Sequence, residues 1–205
     1  MTPLRRLAGA IQRALTDLFV QHEASGSYDR FERLYARRLD PWGGAVLERA
    51  RLKYAWFGEL LRAHAPYASI LDVGCGEGLF TLQVTELSSR VVGADVSLTA
   101  VRRARRLVPD AAFVNATLED LDFGRPFGLV TAVEMLYYVP SPGEALEKLK
   151  RLGHTVFVSY TARDRERLDP LIDRYLPGRQ RTVDRVAGGG GEVVAILYSP
   201  GPSSG

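Results

Sequence analysis

Between residues 69 and 160 the chain alternates short apolar runs with segments whose apolar residues recur at helical spacing. Runs at 69–73, 90–95, 112–115, 128–134 and 154–159 read as buried strands. The segments at about 79–88, 98–108 and 142–152 read as helices. Short connections between alternating strands and helices imply a parallel sheet covered on both faces. Past residue 160 the rhythm changes. Residues 164–176 look helical, and two β-like runs follow at 181–186 and 192–198. The glycines at 188–191 lie between these runs and predict a hairpin, an antiparallel pair closing an otherwise parallel sheet. The expected fold is α/β, doubly wound, with a mainly parallel seven-stranded sheet.

Ahead of this core the periodicity is purely helical. Leu4, Leu7, Ile11, Leu15, Leu18 and Phe19 mark a helix over 3–20, and Tyr28, Phe31, Leu34 and Tyr35 a short second one. Asp40-Pro41-Trp42-Gly43-Gly44 breaks the pattern, and a longer helix fits 45–64. The expected organisation is one domain over 1–200, with a helical cap at 1–64 and an α/β core at 65–200. The low-complexity residues 201–205 are expected to form a flexible tail.

Composition narrows the picture modestly. The 205 residues suit one core. The 27 basic residues are interspersed with 24 acidic ones, so the net charge of +3 reads as a mixed surface, and nucleic acid is not the expected partner. A single cysteine, Cys75, excludes an internal disulfide and fits a reducing cytoplasm. The three histidines are scattered without ligand spacing, so no metal is expected. Gln12, Arg13 and Asp17 interrupt the first apolar segment as a signal peptide would not, and no stretch has the length of a membrane span. A monomer or homodimer is expected.

Asp72-Val-Gly74-Cys-Gly76-Glu-Gly78 holds the densest chemistry. It leaves an apolar strand and opens a helix, where glycines let the backbone turn tightly and a ligand approach the main chain. Its spacing is G-x-G-x-G, whereas a dinucleotide loop reads G-x-G-x-x-G with room for a pyrophosphate. An acidic residue, Asp72, sits just before the glycines and suits an ammonium better than a phosphate. Asp95 ends the second strand, about twenty residues on, where a carboxylate can accept both hydroxyls of a ribose. Val96 beside it can pack on a base. Glu134 ends the fourth strand, where open α/β sheets place ligands, and Met135, Tyr137 and Tyr138 follow as candidate walls.

The run from Ile70 to Phe80 resembles the first motif of class I S-adenosylmethionine-dependent methyltransferases. The resemblance implies that Gly74, Cys75 and Gly76 line the cofactor, S-adenosyl-L-methionine, with backbone. It implies that Asp72 holds the loop or the cofactor ammonium. In the motif around 115–121 it puts Thr117 where an acidic residue usually meets the adenine amino group, and lets Leu118 offer its N–H to the ring. In the fourth-strand motif Gly128 replaces the usual Asp. Glu134 and Met135 border the cofactor, and Glu134 and Tyr138 are the catalytic candidates, with His22 a further candidate base. Phe31-Glu-Arg-Leu-Tyr35, Asp40-Pro41-Trp42-Gly43 and Arg51-Leu-Lys53-Tyr54 are similar to the nodulation-type N-methyltransferases, whose characterised members methylate the free amine of a chitin-oligosaccharide glucosamine. That likeness implies a lid carrying Trp42 over the cofactor, with Arg51 or Lys53 available to its carboxylate. The acceptor implied is the amine or hydroxyl of a small molecule, an amino sugar or natural product among them. RNA or protein methylation, and a non-catalytic cofactor-binding subunit, are the alternatives.

Overall fold

Apolar residues on both faces of each central strand force the sheet to be covered twice. A computed structural model describes residues 28–45, 47–185 and 191–200. Seven strands form one sheet: β1 (Ile70–Val73), β2 (Val91–Asp95), β3 (Ala112–Asn115), β4 (Phe127–Val133), β5 (Gly153–Thr161), β6 (Gln180–Arg185) and β7 (Glu192–Tyr198). Their spatial order is β3-β2-β1-β4-β5-β7-β6. Strands β1 to β5 run parallel, and β7 lies antiparallel between β5 and β6. The mainly parallel sheet and the antiparallel C-terminal pair both agree with the sequence pattern. The glycines at 188–190, the 3–20 helix, His22 and the tail at 201–205 lie outside the described residues.

Alternation along the strands assigns the two faces. Leu71, Val73, Val92, Ala94, Val130, Ala132, Val156 and Val158 pack with α5 (Pro142–Leu152) and α6 (Arg165–Tyr175). On the other face Ile70, Val91, Leu129 and Phe157 meet Phe57 and Leu61 of α2 (Glu48–Arg62) and Val84 of α3 (Thr81–Val84). Phe113 joins Val101 and Ala104 of α4 (Leu98–Leu107) on that same side. The helix expected over 79–88 is shorter than its pattern suggested: after Val84 it tightens into one 3-10 turn, Thr85–Leu87.

The remaining helix, α1 (Asp29–Arg37), does not cover the sheet. It lies across the carboxyl ends of the strands, and three charged side chains hold it there. The Glu32 carboxylate accepts hydrogen bonds from Ser97 Oγ (2.7 Å), Thr99 N (3.1 Å) and Thr99 Oγ1 (2.5 Å) at the start of α4. Arg103 pairs with Glu77 (2.6 Å) and donates to the carbonyls of Tyr35 and Arg38 (2.9 Å each). Arg30 donates to the Tyr138 carbonyl (2.9 Å). Among the described residues no helix is long and apolar enough to cross a membrane.

Candidate functional site

The strand order reverses direction between β1 and β4, and there the loops leaving the two strands diverge to opposite faces. A cavity of about 180 Å³ opens at this point, roofed by α1 and the start of α2. Its floor is the glycine loop. Gly74 and Gly76 have φ of +70° and +53°, a region that side chains disfavour. A Cβ on Gly74 would stand 3.0 Å from Met135 Cβ, and one on Gly76 would stand 2.8 Å from the Tyr35 hydroxyl. The glycines therefore let main chain, rather than side chain, face the cavity.

Asp72 is buried beneath this loop. Its two carboxylate oxygens accept from Thr81 Oγ1 (2.6 Å) and Thr131 Oγ1 (2.7 Å). Burial raises its carboxyl to about 6, and the two hydroxyl bonds offset part of that rise. These bonds tie β1 to β4 and to the start of α3, on either side of the loop. Asp95 closes the next wall. Its Oδ2 accepts Gly76 N (2.8 Å) and its Oδ1 accepts Ser97 N (2.9 Å). Burial raises it to about 6 as well, opposed by those two N–H groups. Each oxygen keeps acceptor capacity for a diol. Cys75 lines the cavity, and burial pushes its thiol far above the usual range, so it sits there as a neutral packing group.

Glu134 follows β4 directly and adopts a positive φ of 53°, uncommon for a residue with a side chain. Its N–H is held by the carbonyl (3.0 Å) and hydroxyl (3.2 Å) of Ser159 on β5. Its carboxylate forms an ion pair with Lys53 of α2. Lys53 is only 6% exposed, and its ammonium lies 5.2 Å from the centre of the Tyr54 ring. This ion pair joins the helical roof to the end of β4.

The aromatic residues line two sides of the cavity, joined by the contact of Tyr137 with Tyr138 (4.5 Å). Tyr138 packs with Trp42 (5.2 Å) and Phe31 (5.7 Å), beside Val96. Trp42 Nε1 donates to the Tyr35 hydroxyl (2.8 Å), which fixes both rings above Gly76. Tyr54, Tyr137, Thr161 and Arg163 line the other side, toward the end of β5. Burial pushes the Tyr137 phenol well above its usual range, and the charge of Glu134 adds to the push.

The structure thus brings Asp72, Gly74, Cys75, Gly76, Asp95, Val96, Leu118, Glu134, Met135, Tyr138 and Trp42 to one cavity. It does not bring Arg51 there: that side chain is exposed on the outer face of α2, while Lys53, two residues along a helix and so about 200° around it, points inward. Nor does Thr117 face the cavity. Its hydroxyl donates to Asp120 Oδ2 (2.8 Å) and accepts the Asp120 N–H, closing a local turn. Tyr28, Phe31, Glu32, Glu77 and Arg103 went unread as site or lid-anchoring residues. Their roles depend on partners far away in the chain, and only the apolar spacing of α1 hinted at a functional face.

The wall chemistry suits a nucleoside joined to an amino acid. Val96, Ala116 and Leu118 offer apolar contact for a base, Asp95 an acceptor for a diol, and Lys53 with Glu134 both charges for a zwitterion. Comparison with known proteins agrees. A profile of the methyltransferase domain matches residues 70–154. The chain is 31% identical to nodulation protein S of Rhizobium tropici over 179 residues, covering 80% of this chain and 73% of that relative. It is 38% identical over 98 residues to the ubiquinone biosynthesis O-methyltransferase of Alkalilimnicola ehrlichii, but spans only 40% of that enzyme's length. Among solved structures, the N-methyltransferase NodS of Bradyrhizobium japonicum WM9 with S-adenosyl-L-homocysteine superposes with a TM-score of 0.74 at 17% identity, over 86% of this chain and all of the other. At that identity the likeness concerns the fold.

Proposed function

The chain belongs to the family of S-adenosylmethionine-dependent methyltransferases that includes nodulation protein S, and on that premise we propose that it moves the cofactor's methyl group to an amine of a small molecule, an amino sugar being the first class to try. The observation that carries the reading is the pair of positive-φ glycines beside the buried Asp95 at the switch between β1 and β4. That arrangement holds a ribose against main chain.

The cofactor supplies an electrophilic methyl on a sulfonium; the protein supplies position and dryness. In this reading Asp95 would accept the ribose hydroxyls and Lys53 would face the carboxylate of the amino acid end. The rings of Trp42 and Tyr138 would be available to the positive charge of the sulfonium. The acceptor enters between Tyr54, Tyr137 and Thr161, its lone pair in line with the methyl. The bound cofactor would give up its methyl with the C–S bonding electrons staying on sulfur, and an amine acceptor would have to lose a proton. Glu134 is the proposed proton acceptor. Tyr137, kept protonated by burial, serves as a hydrogen-bond donor and not as a base. A hydroxyl acceptor is the second reading, supported by the likeness to the ubiquinone enzyme. It requires a base strong enough to deprotonate an alcohol or phenol.

Calorimetry on the wild type and Asp95→Ala tests the premise. Micromolar binding of S-adenosylmethionine and S-adenosylhomocysteine, weakened at least tenfold by the substitution, is the expected result. Preference for NAD would overturn it. Methyl transfer from labelled cofactor to a panel of amino sugars, small amines and phenols then separates N- from O-transfer.

A further inference from the structure

The end of the cavity fit for a base is apolar, with one polar side chain in its wall among the described residues. Val96, Ala116 and Leu118 line it, and the hydroxyl of Thr117 is spent on Asp120 outside it. The polar group is Tyr28, immediately before α1, whose ring packs near Phe31 (centroids 6.4 Å apart) in the cluster that includes Val96. Its phenol donates to Glu119 Oε1 (3.0 Å), the residue following Leu118. Burial, then the Glu119 charge, pushes that phenol up to about 12, so at neutral pH its proton stays on and is committed to Glu119. The oxygen's lone pairs remain as acceptors.

We propose that Tyr28, oriented by Glu119, accepts a hydrogen bond from the 6-amino group of the cofactor's adenine, and so reads the base from the lid where a carboxylate at position 117 would have read it from the sheet. The proposal rests on the cofactor reading above. It carries a further consequence: because Tyr28 belongs to the lid, recognition of the base and seating of α1 over the cavity become one event.

The test compares S-adenosylhomocysteine with its 6-deamino analogue, which keeps the ring nitrogens and loses only the amino donor. By calorimetry the wild type should prefer the amino ligand by roughly tenfold, the worth of one hydrogen bond. Tyr28→Phe keeps the ring and should bring the ratio to about one. Glu119→Gln still accepts the phenol proton and should leave the ratio near that of the wild type. A wild-type ratio near one, or a preference that survives in Tyr28→Phe, overturns the proposal and leaves the cofactor reading intact. Binding of neither ligand overturns both.

Discussion

Asp72 and Asp95 show how differently two buried carboxylates can be used. Both are raised to about 6 by burial and each oxygen of both accepts one hydrogen bond, yet Asp72 is bonded to threonine hydroxyls of α3 and β4 while Asp95 is bonded to backbone N–H groups of the glycine loop and of Ser97. A carboxyl raised above its unfolded value of 3.8 binds protons more tightly when folded. Its contribution to stability therefore falls as pH rises from about 4 to about 6. Asp72→Asn should flatten that part of the urea-stability profile relative to the wild type. Ligand binding runs the other way, because the ionised form of Asp95 is the one that accepts a diol. S-adenosylhomocysteine has no group titrating between pH 5 and 7.5, so its affinity should drop roughly tenfold on going from pH 7.5 to 5. In Asp95→Asn it should be weaker throughout and flat with pH; a wild-type affinity unchanged at pH 5 would remove Asp95 from the ribose site. The acidic residues were legible from their positions at strand ends. Their partners Thr81 and Thr131 were not, since neither spacing nor composition marks a hydroxyl as the partner of a carboxylate.

Helix α1 is stable where it lies because it completes another helix. The first N–H groups of α4 lack intrahelical partners, and Ser97 caps one of them by accepting from Ala100 N (3.1 Å). Glu32 then takes the Ser97 hydroxyl and the Thr99 N–H from outside the helix. Burial alone would raise the Glu32 carboxyl, but the bonds from Thr99 and Ser97 prevail and hold it below the usual range, so it stays ionised against the positive end of α4. Glu32→Ala should cost about 1–2 kcal/mol in urea denaturation. It should also speed tryptic cleavage at Arg37 and Arg38, with S-adenosylhomocysteine restoring part of the protection. Unchanged cleavage would mean that Arg103 and Glu77 hold the lid by themselves. The sequence announces α1 and the helix that becomes α4 through their apolar spacing. That the two meet depends on packing over 65 residues of separation, which no local pattern encodes.

The Lys53–Glu134 pair ties the helical roof to the sheet across 81 residues, with side chains 8% and 19% exposed. Removing one partner of such a pair leaves a buried charge unmatched. Lys53→Met should destabilise the ligand-free protein by about 3 kcal/mol, and adding Glu134→Gln should recover most of the loss. Absence of recovery would place the cost in packing of the lysine stem instead. The α/β architecture, with both sheet faces covered, and the glycine cradle were readable from residue order alone, because strand and helix periods, turn glycines and strand-end acids are local properties. Alternating apolar runs permit few topologies, and a glycine loop between strand and helix permits few ligands. Which side of a cap helix faces inward is a different matter. A step of two residues around α2 turns Arg51 to solvent and Lys53 to Glu134, and a local turn withdraws Thr117 from the cavity while Tyr28 enters it. Those choices depend on the angle at which the roof meets the sheet, and that angle is set by contacts between distant segments acting together.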